Sequence, residues 1–194
     1  MRILWVVPRY GRGIAGGAET LVRALATRSA AMGWTAEVAT TCARDHVTWA
    51  DELPAGTTVE DGVTVHRFPV GPRDGARYDA LHGAVVGGRA GYADELEWLA
   101  NSVWSRAMEA YLEDEDGHDL RVLAPYLFGT TLWGAQTAPD RSALLPCLHD
   151  EPYARLETVR RVLGAVRGCL FNAPAEERLA RRLAPVRGAP RRGR

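Results

Sequence analysis

The stretch Ile3-Leu4-Trp5-Val6-Val7-Pro8-Arg9-Tyr10-Gly11-Arg12-Gly13-Ile14-Ala15-Gly16-Gly17-Ala18-Glu19 decides the fold. Its first five residues are an apolar run rich in β-formers, and Pro8 ends it. A glycine-rich turn follows. Leu21, Val22, Leu25, Ser29 and Met32 then recur at helical spacing, with Gly33 as the stop. Strand, glycine turn and helix N-terminus in this order make a natural seat for an anion. Glycine lets backbone approach a ligand, and the first helical N–H groups have no partner within the helix.

The loop has four readings. Gly11, Gly13 and Gly16 spell the spacing of a dinucleotide fingerprint. However, Pro8-Arg9-Tyr10 separate the strand from the first glycine. Glu37 falls in the middle of the next strand, and that strand ends in Thr40-Thr41-Cys42, where an acid is wanted. A phosphate-cradling P-loop needs Gly-Lys-Ser/Thr, and the chain has no lysine. A loop meeting the diphosphate of a sugar nucleotide, or a plain tight turn, completes the set.

Working outward, strands alternate with helices. Ala36, Val38 and Thr40 form a strand, and Asp61-Gly62 reads as the turn of a hairpin leading into Val63 and Val65. Residues 71 to 91 carry six glycines and read as a long loop. Leu96, Leu99, Val103 and Ala107, with Trp98 and Trp104, give one helix from Ala93 to Leu112, closed by the acidic run Glu113 to Asp116. Leu120 to Ala124 and Ala143 to Leu148 are strands, with a short helix over Thr130 to Thr137 between them. Leu156, Val159, Leu163 and Val166 mark another helix face. Cys169 to Phe171 is a last strand, and Pro174 opens a last helix. The fold class expected is α/β: a Rossmann-like, mostly parallel sheet with helices on both faces and ligands at the strand carboxyl ends.

Composition narrows the function classes. A formal charge of +0 gives no electrostatic case for nucleic acid. Cys42, Cys147 and Cys169 are scattered and form neither a zinc spacing nor a disulfide framework. His46, His66, His82 and His118 show no metal spacing. The opening apolar run is too short for a signal peptide or a membrane span, so a cytoplasmic protein is the expectation. No serine lies in a nucleophile elbow.

Three motifs add to this reading. Pro8-Arg9-Tyr10 through Gly16-Gly17-Ala18-Glu19, then Leu148-His149-Asp150-Glu151-Pro152-Tyr153, then Phe171-Asn172-Ala173-Pro174-Ala175-Glu176 occur in this order and spacing. Together they resemble the N-terminal domain of family-4 glycosyltransferases, over residues 1 to 183. The resemblance implies one half of a GT-B enzyme, in which two α/β domains face each other across the active site. It implies transfer of a sugar from a nucleotide-sugar donor to a glycan or lipid-linked acceptor, with retention of anomeric configuration and with no metal or resident cofactor. His149 would meet the donor sugar near its reacting carbon. Gly16, Gly17 and Glu19 would form the signature corner, with Asp150 and Tyr126 as further donor or acceptor contacts. Each also has a structural reading: His149 a backbone hydrogen bond, Asp150 a helix cap, Glu19 an i,i+4 pair with Arg23, and Tyr126 a half-buried ring. Ala173 stands where the family has serine.

The nucleotide-binding second domain would follow this one, and residues 184 to 194 read instead as a basic, disordered tail. The expectation is a truncated half that transfers little sugar alone, with a separately encoded C-terminal GT-B domain as its partner, no nucleic acid, and a peripheral position at the inner membrane surface as an option. The alternatives are a non-catalytic acceptor- or partner-binding half and an NAD(P)-binding Rossmann protein.

Overall fold

The computed structural model describes residues 1 to 187. It is an α/β domain built on one seven-stranded sheet. In chain order the elements are β1 (Arg2–Val6), α1 (Gly17–Ala31), β2 (Thr35–Thr41), β3 (Gly56–Glu60), β4 (Val63–Phe68), α2 (Gly75–Val86), α3 (Tyr92–Ala100), α4 (Arg106–Asp114), β5 (Leu120–Leu123), α5 (Gly129–Thr137), β6 (Ser142–Leu144), α6 (Glu157–Ala165), β7 (Gly168–Cys169) and α7 (Pro174–Leu183). The strand order is β3-β4-β2-β1-β5-β6-β7. Every pairing is parallel except β3 with β4. This topology is compatible with a Rossmann-like fold.

Side-chain alternation divides β1 between two cores. Ile3, Trp5 and Val7 face α1 and pack with Val22, Ala26, Val38, Val65 and Val122. Leu4 and Val6 face the opposite side, where Leu81, Trp98, Met108, Leu112, Leu132, Leu163 and Leu179 bring in α2 to α7. One helix therefore covers the first face and six cover the second. Met32, expected on the apolar stripe of α1, is 62% exposed; Ala26 and Ser29 fill that side of the helix instead. Gly33 takes a positive φ of 82° and its N–H closes on the Ala30 carbonyl, as a helix stop requires. Asp61 and Gly62, both at positive φ, make the tight turn between β3 and β4.

Two expectations are corrected. Residues 75 to 86 are a helix, where the glycine count suggested a loop. The Asp74 carboxylate accepts from the Arg77 N–H at 2.9 Å and caps α2. Leu81 and Val85 are buried, and Gly75 and Gly83 sit where nothing lies within 4 Å of an added Cβ. These glycines lower helix propensity without touching the packing. The single helix expected from Ala93 to Leu112 is two. Ser105 caps α4 by accepting from the Met108 N–H, and Ser102 turns the chain by donating to the Leu99 carbonyl and accepting from the Gly129 N–H. Val103, freed from the helix face, packs with Ala43 and Trp49 in a small third core.

Of the expected tail, residues 184 to 187 pack on the domain: Ala184 and Val186 are buried in the larger core, and Arg187 pairs with Asp140 at 3.5 Å. The remainder of that tail lies outside the described residues. Among the described residues no helix is long and apolar enough to cross a membrane.

Candidate functional site

The glycine corner follows β1. Gly11, Gly13 and Gly16 all take positive φ, at 147°, 79° and 156°. The reason for Gly16 is visible in its surroundings. A Cβ there would meet the Glu19 carboxylate at 2.1 Å and an Arg9 nitrogen at 3.2 Å. Glu19 folds back beneath the loop and accepts from Arg9 Nε at 3.0 Å and Nη2 at 2.5 Å. The Arg9 guanidinium also donates to the Ala15 and Arg44 carbonyls and lies over the Trp49 ring. Both side chains of the pair are nine-tenths buried. Glu19 thus pins the loop through Arg9 and does not pair with Arg23, which bridges to Asp61 at 2.9 Å.

Gly17 opens α1 with nothing within 4 Å of an added Cβ and no positive φ. Gly17→Ala is therefore expected to fold normally, with stability raised by up to about 1 kcal/mol through the unfolded chain; urea titration reads it. A loss of stability would mean that the corner needs Gly17 for folding.

His149 lies beyond β6. Between them Cys147 takes a positive φ of 51°. The Leu148 N–H donates to Glu176 at 2.7 Å, and the other oxygen of Glu176 accepts from the Asn172 N–H at 2.6 Å. One buried carboxylate in the first turn of α7 therefore ties down the chain on both sides. The His149 ring is exposed and opens on a surface cavity of about 380 Å³ shared with Asp150, Ala175 and Arg178. Asp150 pairs with Arg155 at 2.5 Å and caps no helix, contrary to its structural reading. Tyr126 is buried, and its hydroxyl donates to the Glu151 carboxylate at 2.6 Å. Burial first, and then this hydrogen bond, push its pKa up. Its ring belongs to the core and offers no stacking face.

The glycine corner and His149 both lie at strand carboxyl ends, after β1 and β6, with β5 alone between those strands. Burial raises the Cys147 thiol pKa, opposed by the hydrogen bond from Asn172. The two clusters open on different cavities, however. One of about 710 Å³ runs along the outer flank of α1 and is lined by Gly11 and Glu19 but by neither Gly16 nor His149.

A polar cluster that sequence reasoning left unassigned lies on the other side of the sheet. Glu37 on β2 accepts from Arg2 at 2.9 Å and contacts His66 on β4 at 3.0 Å. His118, wholly buried, sits 3.3 Å from Glu37 and 3.5 Å from Glu115. Burial lowers the His118 pKa despite both carboxylates. For Glu37, burial pulls upward, but the bonds from His66 and Arg2 win and hold it down. Because His118 is more basic once unfolded, the unfolded state takes up the extra proton as pH drops below about 6.5. Its contribution is complete above that pH and fades below it. Glu37 acts in a lower window, losing its contribution below its ordinary value of 4.5. His118→Gln is accordingly expected to flatten the decline in stability between about pH 7.5 and 5; denaturation midpoints across that range check it, and an unchanged slope would contradict it.

Among the described residues no group of three or more His, Cys, Asp or Glu is placed to hold a metal ion. All three cysteines are free thiols. Comparison of the chain with protein-family models, curated proteins and solved structures gave no significant match.

Proposed function

We propose that this domain is the acceptor-side lobe of a two-domain, GT-B type glycosyltransferase acting on a nucleotide-sugar donor with retention. What supports this reading is placement: on a parallel sheet, the glycine corner and an exposed imidazole both follow strand carboxyl ends, where such sheets bind ligands. In this reading the nucleotide sits on a second domain. His149 accepts hydrogen bonds from, or donates to, the donor sugar, and catalysis comes from positioning and from stabilising the leaving diphosphate.

The dinucleotide reading is disfavoured by two features. The space that a missing Gly16 Cβ leaves is filled by the Glu19 carboxylate, not by room for a pyrophosphate. Glu37 is mid-strand and engaged with Arg2 and His66, not free at a strand end for a ribose. Melting of the purified chain with UDP-, GDP- and ADP-hexoses and with NAD(P) separates the readings, since a ligand that binds only the folded state raises stability. Stabilisation by a nucleotide sugar supports the proposal; stabilisation by a dinucleotide alone overturns it. The lobe by itself is expected to give negligible sugar transfer.

A further inference from the structure

A second cavity, of about 350 Å³, lies between the glycine loop and the β3–β4 hairpin, on the α1 side of the sheet. Three guanidinium groups line it: Arg12 from the loop, Arg44 from the segment after β2, and Arg67 from β4. Their carboxylate partners are fewer. Arg67 contacts Glu60 at 2.5 Å and also donates to the Tyr10 carbonyl and the Thr58 hydroxyl, so its buried head is fixed. Arg12 pairs with Asp61, but Asp61 is shared with Arg23. Among the described residues Arg44 forms no ion pair. Two carboxylates, Glu60 and Asp61, thus face three guanidiniums around this opening, and Asp61 is shared with Arg23 outside it. Asp61 stays ionised between its two partners: its pKa is held at about 2, first by Arg12 and then by Arg23. Gly11, at positive φ, leaves the wall beside Arg67 bare of a side chain.

We infer that this cavity binds a phosphate group carried by the acceptor. Guanidinium forks match phosphate oxygens two at a time, and several around one opening select a compact dianion over a single carboxylate. Arg67, immobilised by Glu60 and Tyr10, forms the fixed wall, while Arg12 and Arg44 close from the solvent side. The inference rests on reading the domain as an acceptor-side lobe only for what the phosphate is attached to. A phosphorylated sugar and a lipid headgroup present the same chemistry, so the test has an arm for each.

The probes are inorganic phosphate, followed by amide shifts in the intact chain, and phosphatidylcholine vesicles with or without phosphatidic acid. Saturable shifts at Gly11, Gly13 and Arg44 with inorganic phosphate, at ionic strength held constant with chloride, are expected. Arg44→Ala should weaken binding about tenfold, the loss of one charge-assisted contact, and Arg12→Ala with Arg44→Ala should abolish it. Both residues are exposed, so these variants keep the fold; a remote change, Arg106→Ala, should have no effect. Binding to phosphatidic-acid vesicles alone, lost in the same double variant, assigns the group to a lipid headgroup. No saturation with either probe, or equal weakening by Arg106→Ala, overturns the inference. The titration needs no donor or second domain, so it can fail while the glycosyltransferase reading stands, and the reverse.

Discussion

Glu19→Ala is expected to destabilise the domain by about 3–5 kcal/mol, the usual cost of leaving a buried charge without its partner. The Arg9 guanidinium that Glu19 neutralises is nine-tenths buried and cannot swing into water without dismantling the loop it anchors through the Ala15 and Arg44 carbonyls. The effect should be local as well as global. With the carboxylate gone, Gly16 loses the contact that dictates its conformation, and the amides of residues 11 to 17 should exchange with solvent faster than those of α1. Replacing both partners, Arg9→Met with Glu19→Leu, should recover part of the loss, because no charge is then stranded, but not all of it, since Arg9 also satisfies two carbonyls. Urea denaturation of the two variants measures this. A loss below about 1 kcal/mol for Glu19→Ala would assign the pair to the class of weak surface bridges.

The second large effect is at Glu95. This carboxylate, on α3 and 5% exposed, accepts from the Glu157 N–H at 3.1 Å, the Thr158 N–H at 2.8 Å and the Thr158 hydroxyl at 3.0 Å. It is the N-terminal cap of α6, supplied from a residue far away in the chain. Leu156, at the cap position itself, has no side-chain oxygen to offer. Glu95→Ala removes three hydrogen bonds at once and strands buried donors, so a cost of about 2–4 kcal/mol is expected, above that of an ordinary cap residue. Glu95→Gln should cost less, because one oxygen remains as acceptor. Equal losses for the two variants would show that packing, not the cap, sets the effect.

The sheet was legible because β1 carries a continuous apolar run, Ala36 and Val38 in β2 and Val63 and Val65 in β4 alternate with polar residues, β5 holds Val122 and Leu123, and Asp61-Gly62 suits a tight turn. Helix α2 was obscured by its glycines, although Tyr78, Leu81 and Val85 keep helical spacing. Ser105 carried a readable cap signal that the apolar periodicity of Trp98 to Ala107 masked. The site was legible as motifs but not as contacts. Glu19 pairs backward with Arg9 instead of forward with Arg23, because the two side chains meet in buried space under the glycine loop, which is invisible in one dimension. Arg12, Arg44 and Arg67, like Glu37, His66 and His118, meet only after the strands align. No local spacing announces them.

In the proposed reading the glycine corner and His149 present one rim to one donor sugar. Amide-shift mapping of the intact chain with a nucleotide hexose tests it most directly. Gly16, Gly17 and His149 are expected to shift together, with a common saturation point, and His149→Ala is expected to reduce the response at the corner. Shifts at the corner with NAD alone while His149 stays still, or no shift at either cluster with any UDP-, GDP- or ADP-hexose, would contradict it.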